Sequence, residues 1–114
     1  MQNNRKIGSL YEKIAVEYLE KRGLKLICRN YRCKFGEIDI IMQDKDYLVF
    51  CEVKYRKYSG FGFPLEAVNI KKENKIRNVA KAYIVTNEIP NDAKIRFDCI
   101  GILGNDIEWI KNVF

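Results

Sequence analysis

Two apolar, β-branched runs with carboxylates set inside them constrain this chain more than any other feature. They are Gly36-Glu37-Ile38-Asp39-Ile40-Ile41 and Leu48-Val49-Phe50-Cys51-Glu52-Val53-Lys54, and the polar Gln43-Asp44-Lys45-Asp46 lies between them. Ile, Val and Phe favour pleated backbone, and a short polar break joins antiparallel neighbours, so the two runs predict a β-hairpin. A turn centred between Lys45 and Asp46 sets Asp39 opposite Glu52 and Glu37 opposite Lys54. Opposed residues share a face, with Cβ atoms about 5 Å apart. Two ionised carboxylates that close repel unless a cation lies between them. A hard divalent ion such as Mg²⁺ accepts carboxylate oxygens at about 2.0–2.1 Å and keeps waters that can be activated. Lys54, two residues beyond Glu52 on the same side, adds a positive charge able to orient a water or stabilise a phosphorane-like transition state. The competing reading is a wet amphipathic hairpin face on which Glu37 and Lys54 form an ordinary cross-strand ion pair.

Asp39, twelve intervening residues and then Glu52-Val53-Lys54 resemble the PD-(D/E)xK nuclease signature. The likeness covers nearly the whole chain: Glu12, Asn30-Tyr31-Arg32, Gly36-Glu37-Ile38-Asp39, Phe50 through Arg56, Lys72 and Arg96-Phe97-Asp98 are similar to the YraN family. Those are small bacterial proteins related to archaeal-type Holliday-junction resolvases. Ile38 stands where the broad signature has a proline, although the resembled family itself carries Glu-Ile-Asp there. The resemblance implies a Mg²⁺- or Mn²⁺-dependent endonuclease that hydrolyses a phosphodiester bond in DNA, with branched DNA as a candidate substrate. It implies Asp39 and Glu52 as metal ligands, Lys54 positioning or activating water, and Glu12 of the first helix completing the acidic cluster. Lys72 is implied to assist the substrate phosphate, and a homodimer follows by analogy with resolvases. The alternative from another class is a catalytically silent nucleic-acid-binding or scaffold protein that retains the nuclease fold.

A length of 114 residues suits one domain with a modest core. The expectation is thus a single nuclease-like domain over 1–114. No long apolar segment and no charged-then-apolar leader occurs, which leads to the expectation of a cytoplasmic protein without a membrane partner. The net charge of +6 favours a polyanionic partner. Histidine is absent, which removes Ser-His-Asp, Cys-His and His-metal chemistry from this chain and leaves carboxylates and lysine. Cys28, Cys33, Cys51 and Cys99 contain no C-x₂-C pair. A four-cysteine zinc site is weighed against reduced thiols acting as small hydrophobes, and the thiols are preferred.

In chain order, residues 8 to 22 predict a helix with an apolar stripe from Ile7, Leu10, Tyr11, Ile14, Ala15, Tyr18 and Leu19, stopped by Gly23. Glu12 borders that stripe, where it either faces the sheet's active end or is a surface acid near a helix N-terminus. Leu24 to Cys28 predicts the first strand. Arg29, Asn30 and Arg32 follow in a basic, aromatic approach to the hairpin that suits phosphate contact or plain solvation. Beyond Lys54, Tyr55 through Pro64 holds four aromatic rings with Arg56 and Lys57, read as a substrate-facing loop or a cover for the core edge. Residues 65 to 86 predict a long helix with Val68, Ile76, Val79, Ala80 and Tyr83 on one side. Lys72 shares that stripe and must snorkel past the sheet or reach the site. Ile95 to Leu103 and Asp106 to Ile110 predict two last strands, with Arg96 and Asp98 in a supporting role. The order α-β-β-β-α-β-β implies an α/β fold with a mixed central sheet flanked by helices, which resembles a restriction-endonuclease-like core.

Overall fold

The computed structural model describes residues 4–56 and 70–114. Its elements are α1 (Asn4–Glu20), β1 (Lys25–Cys33), β2 (Gly36–Asp44), β3 (Tyr47–Arg56), α2 (Ile70–Thr86), β4 (Lys94–Leu103) and β5 (Asp106–Ile110). The strands form one sheet in the spatial order β1-β2-β3-β4-β5. β3 and β4 run parallel, and the other three pairs are antiparallel. This mixed sheet with two helices, in the order α-β-β-β-α-β-β, matches the expectation and is consistent with a restriction-endonuclease-like core.

The strand pattern explains the two layers. In β3, Leu48 and Phe50 pack with Ile76, Val79, Ala80 and Tyr83 of α2, whereas Cys51 and Val53 join Ala15, Val16 and Leu19 of α1. Alternation along a pleated strand delivers one set to each face, so a central strand buried on both sides reads as a nearly continuous apolar run. All four cysteines are free, and Cys51 and Cys99 are buried.

Both helices end on the same device. After α1, the Leu24 N–H donates to Leu19 O at 3.1 Å and the Gly23 N–H to Glu20 O at 3.0 Å, with Gly23 at φ 95°. This is a Schellman cap with glycine in the left-handed position. After α2, Ile89 donates to Ile84 O at 2.9 Å and Glu88 to Val85 O at 3.2 Å, but the left-handed residue is Glu88, at φ 53°. A side chain there costs roughly 1–2 kcal/mol, partly offset by the greater freedom of unfolded glycine. Glu88→Gly is therefore expected to stabilise the protein by about 0.5–1 kcal/mol, read as a rise in the denaturant midpoint. An unchanged or lower midpoint would show that the cap carries no strain.

Three expectations need correction. α1 covers Asn4–Glu20 instead of 8–22, and Leu10, placed on its apolar stripe, is 55% exposed. β1 does not stop at Cys28 but continues through Arg29, Asn30 and Arg32 to Cys33, because β2 supplies a ladder for these polar residues. Tyr55 and Arg56, expected to open the aromatic loop, are the last residues of β3, held there by pairing with Ile102 and Leu103 of β4; the rest of that loop, the helix start at 65 and Val68 lie outside the described residues.

Candidate active site at the fork of the central hairpin

The β2–β3 ladder has the register expected from the turn: Asp44 faces Tyr47, Met42 faces Val49, and Ile40 faces Cys51. There the ladder ends, one step before Asp39 would meet Glu52. Beyond it Asp39 uses its side chain, with Oδ2 accepting the Val53 N–H at 2.9 Å. The two strands thus open into a fork with a carboxylate wedged in its crotch.

An irregularity in β1 and β2 accompanies the fork. Ile38 and Ile41 face α2 while Ile40 and Met42 face α1, so strict alternation slips between Ile38 and Ile40. Across in β1, Arg29 pairs with Ile40 and Tyr31 with Ile38, and the intervening Asn30 adopts φ 54°. Asn tolerates this left-handed geometry better than most residues, and such kinks re-aim side chains. The result gathers Glu12 of α1 with Glu37 and Asp39 of β2, each offering an oxygen within 4.8 Å of the others. A cleft of ≈ 370 Å³ lined by Gly8, Ser9, Glu12, Asn30, Arg32 and Glu37 reaches two of them, Glu12 and Glu37. Glu52 completes the fork from β3, within hydrogen-bonding reach of the Asp39 carboxyl and the Asp39 backbone N–H. Glu52 is 8% exposed, and its Oε1 has no hydrogen-bond partner among the described residues.

The match to a family model takes in Glu12, the whole fork and Lys72: the Uncharacterised protein family UPF0102 aligns with residues 11–102. The chain belongs to the UPF0102 family. It is 45% identical to a UPF0102 protein of Lachnoclostridium phytofermentans over 112 residues, covering 97% of this chain and 95% of the relative. A UPF0102 protein of Fusobacterium nucleatum is 48% identical over 111 residues, 97% of this chain and 92% of its own. One of Psychromonas ingrahamii is 47% identical over 116 residues, 100% and 93%. The YraN resemblance seen in the sequence leads to this same family.

Within this UPF0102 chain the residues expected at the site divide into groups. Asp39 lies beside Glu12 on one side and Glu52 on the other, Glu52 standing outside the Glu12–Glu37–Asp39 group, and Lys54 sits close enough for its charge to act on both Asp39 and Glu52. Arg29 is turned to α1: its Nη2 donates to Ser9 O at 2.8 Å and lies 3.5 Å from Glu12 Oε1. Asn30 bonds the Glu12 side chain as well. These two orient the acid, a role that sequence reasoning did not foresee for them. Arg32 meets Glu37 at 2.6 Å across the β1–β2 pair, so Glu37 has that partner instead of the cross-strand Lys54 pair. Arg56 ends β3 with a buried Nε lacking a partner among the described residues. Lys72 is half-buried in the first turn of α2. Glu37 is the member of the cluster that sequence reasoning missed as a candidate ligand. Among the described residues no helix is long and apolar enough to cross a membrane.

Electrostatics follow from this crowding. Burial raises the Asp39 carboxyl above its usual value, and Glu37 adds to the rise while Val53 and Lys54 oppose it. Burial and then the charge of Asp39 push Glu52 well above the usual carboxylate range. Glu12 is raised by burial and by Asp39, against hydrogen bonds from Asn30 and Arg29. A carboxyl whose folded pKa lies above its unfolded value stabilises the fold fully below the unfolded value. That stability is lost as pH rises through the folded one. In metal-free buffer, Glu52→Gln should therefore gain stability relative to the parent as pH rises above about 4.5. Melting temperatures of both proteins across pH 4 to 8 in chelator check this. A parallel pair of curves would mean that Glu52 ionises as freely in the folded chain as in the unfolded one.

Proposed function

We propose that this UPF0102 protein is a Mg²⁺- or Mn²⁺-dependent nuclease acting on DNA. The observation that carries the reading is the Glu52–Asp39 pair: two carboxyls within hydrogen-bonding reach, one almost wholly buried with an oxygen that has no partner among the described residues. A buried acceptor without a donor costs roughly 1–3 kcal/mol, a cost that a bound cation would offset. An all-oxygen donor set without histidine or thiolate suits a hard cation, so the residues present fit Mg²⁺ or Mn²⁺. Asp39 and Glu52 would hold the ion, with Glu12 and Glu37 in reach of Asp39 to extend the shell. When bound, such an ion supplies Lewis acidity toward a phosphodiester oxygen and toward water.

The chain's own groups do the rest. Val53 N–H fixes Asp39, and Arg29 with Asn30 holds Glu12 in place. Lys54 brings a cation to the same crowded carboxyls, where it orients water and offsets charge developing on phosphate. Arg56 and Lys72 offer phosphate contacts, in keeping with the net charge of +6. The test is incubation with linear, flap and four-way-junction DNA in Mg²⁺, Mn²⁺ or EDTA. Cleavage that needs the metal supports the reading. Binding without cleavage on every substrate would leave a silent nucleic-acid-binding protein, and absence of both would end it.

A further inference from the structure

The two arms of the fork each present an exposed aromatic ring. Phe35 lies at the apex of the β1–β2 hairpin, one of two residues between the paired Cys33 and Gly36, and is 46% exposed. Tyr55, near the end of β3, is 38% exposed. Single exposed apolar side chains are ordinary on protein surfaces. What sets this pair apart is placement: Phe35 lies two residues before Glu37 of the acidic group, and the Tyr55 ring rests on Tyr11, the residue preceding Glu12 on α1.

Both rings are mounted on rigid supports. Beneath Phe35 the Cys33–Gly36 pair closes the ladder and the Arg32–Glu37 ion pair ties the strands at 2.6 Å. Gly36 sits at φ 139°, and a Cβ there would lie 3.5 Å from Val79 Cγ2, so the hairpin base rests close on α2. Lys34 places its ammonium 5.2 Å from the Phe35 ring centre, putting a cation beside an exposed ring at the tip. Tyr55 is stacked on Tyr11 of α1, with centroids 4.0 Å apart and planes within 12°. One face of Tyr55 is therefore fixed by protein.

We propose that Phe35 is a wedge and Tyr55 a stacking platform, selecting DNA in which a base beside the scissile phosphate is out of the duplex stack. This rests on the nucleic-acid part of the reading above and not on turnover. Apolar side chains inserted at base steps unstack them, and an aromatic face takes any base because every base has a π-surface. A continuous duplex offers neither ring a partner. An unpaired base offers one to both, and Lys34 meets the neighbouring phosphate.

The experiment uses the whole chain and measures binding in both EDTA and Ca²⁺, so affinity is read without depending on cleavage. The probes are a continuous duplex and the same duplex with one unpaired nucleotide. The wild type should prefer the second. Phe35→Ala should weaken that complex by roughly 5- to 100-fold and leave the continuous duplex within about 2-fold. Phe35→Trp should retain the preference, and Tyr55→Ala should reduce it. Because Phe35 is largely outside the core, its variants should melt with the parent, which a thermal scan verifies. Equal affinity of wild type and Phe35→Ala for both probes would overturn the proposal. So would a change in oligomeric state on Phe35→Ala with DNA binding intact, which would make the ring a contact between copies. A wild type that prefers the unpaired base but never cuts would sustain this inference and sink the nuclease reading. A wild type that binds neither probe would sink both.

Discussion

Asp39→Asn is expected to lose divalent-metal binding and DNA cleavage together, with the rate falling by about 10³-fold or more. The substitution is nearly isosteric, and an amide oxygen can still accept the Val53 N–H that now reaches Asp39 Oδ2 at 2.9 Å. What it removes is the charge at the centre of the group, the one carboxylate that neighbours Glu12, Glu37 and Glu52 at once. Lys54→Ala makes the necessary contrast. Deleting a cation beside the carboxyls should leave metal affinity unchanged or higher, while single-turnover cleavage slows by about 10²-fold. Metal titration by calorimetry and single-turnover rates on a DNA that the wild type cuts separate the two. Undiminished metal binding in Asp39→Asn would remove that residue from the ligand set, and full activity in Lys54→Ala would reduce the lysine to a surface charge.

Asp98→Ala should be the most destabilising substitution away from the fork, costing about 3–5 kcal/mol. The Asp98 side chain is 0% exposed. It accepts from Arg96 Nε at 2.9 Å, Arg96 Nη2 at 2.9 Å, Trp109 Nε1 at 3.0 Å and the Asn112 N–H at 3.0 Å. Once Asp98 is gone, Arg96 keeps Asp44, at 2.9 Å, and the Tyr47 ring, whose centre is 5.3 Å from the guanidinium carbon. Removal strands a buried guanidinium, an indole N–H and a backbone N–H in one step. Losing one partner of such a network costs far more than the network contributes relative to an apolar replacement. Urea unfolding of Asp98→Ala, with Asp98→Asn as an intermediate case, reads the effect. A loss below about 1 kcal/mol would mean that water replaces the carboxylate there.

Much of this architecture was legible in the residues, for reasons that can be named. The β2–β3 register followed from a two-residue turn and from Ile, Val and Phe occupying both faces, since a slip by one would have driven Asp44 or Glu52 into the core in the wrong place. The extent of β1 was not legible, because its outer half is Arg29, Asn30 and Arg32, and an edge strand with one wet side lacks the apolar pattern that marks a central one. A register shift between Leu26 and Cys28 and a left-handed Asn30 break the period twice more. Missing that stretch had a further effect. Without Arg32 on a neighbouring strand, the one partner the sequence offers Glu37 is Lys54, in the competing ion-pair reading. With it, Glu37 turns toward Glu12 and Asp39. The signal that could have found it is Gly36-Glu37 itself, an acid directly after the residue that closes a hairpin.

The parallel pairing of β3 with β4 has a kinetic consequence. Each β3 residue meets one far along the chain, Tyr47 with Lys94 and Arg56 with Leu103, whereas β1 through β3 and β4 with β5 are joined by two-residue turns. Loop-closure entropy falls almost wholly on that one ladder, so its formation governs the folding rate while the meander and the terminal hairpin form locally. As the chain leaves the ribosome, Glu12, Glu37, Asp39 and Glu52 are all present before β4 exists. Through that interval β3, with Val49, Phe50 and Cys51, waits as an unpaired apolar edge: the acidic fork is made early on the strand most exposed to mispairing.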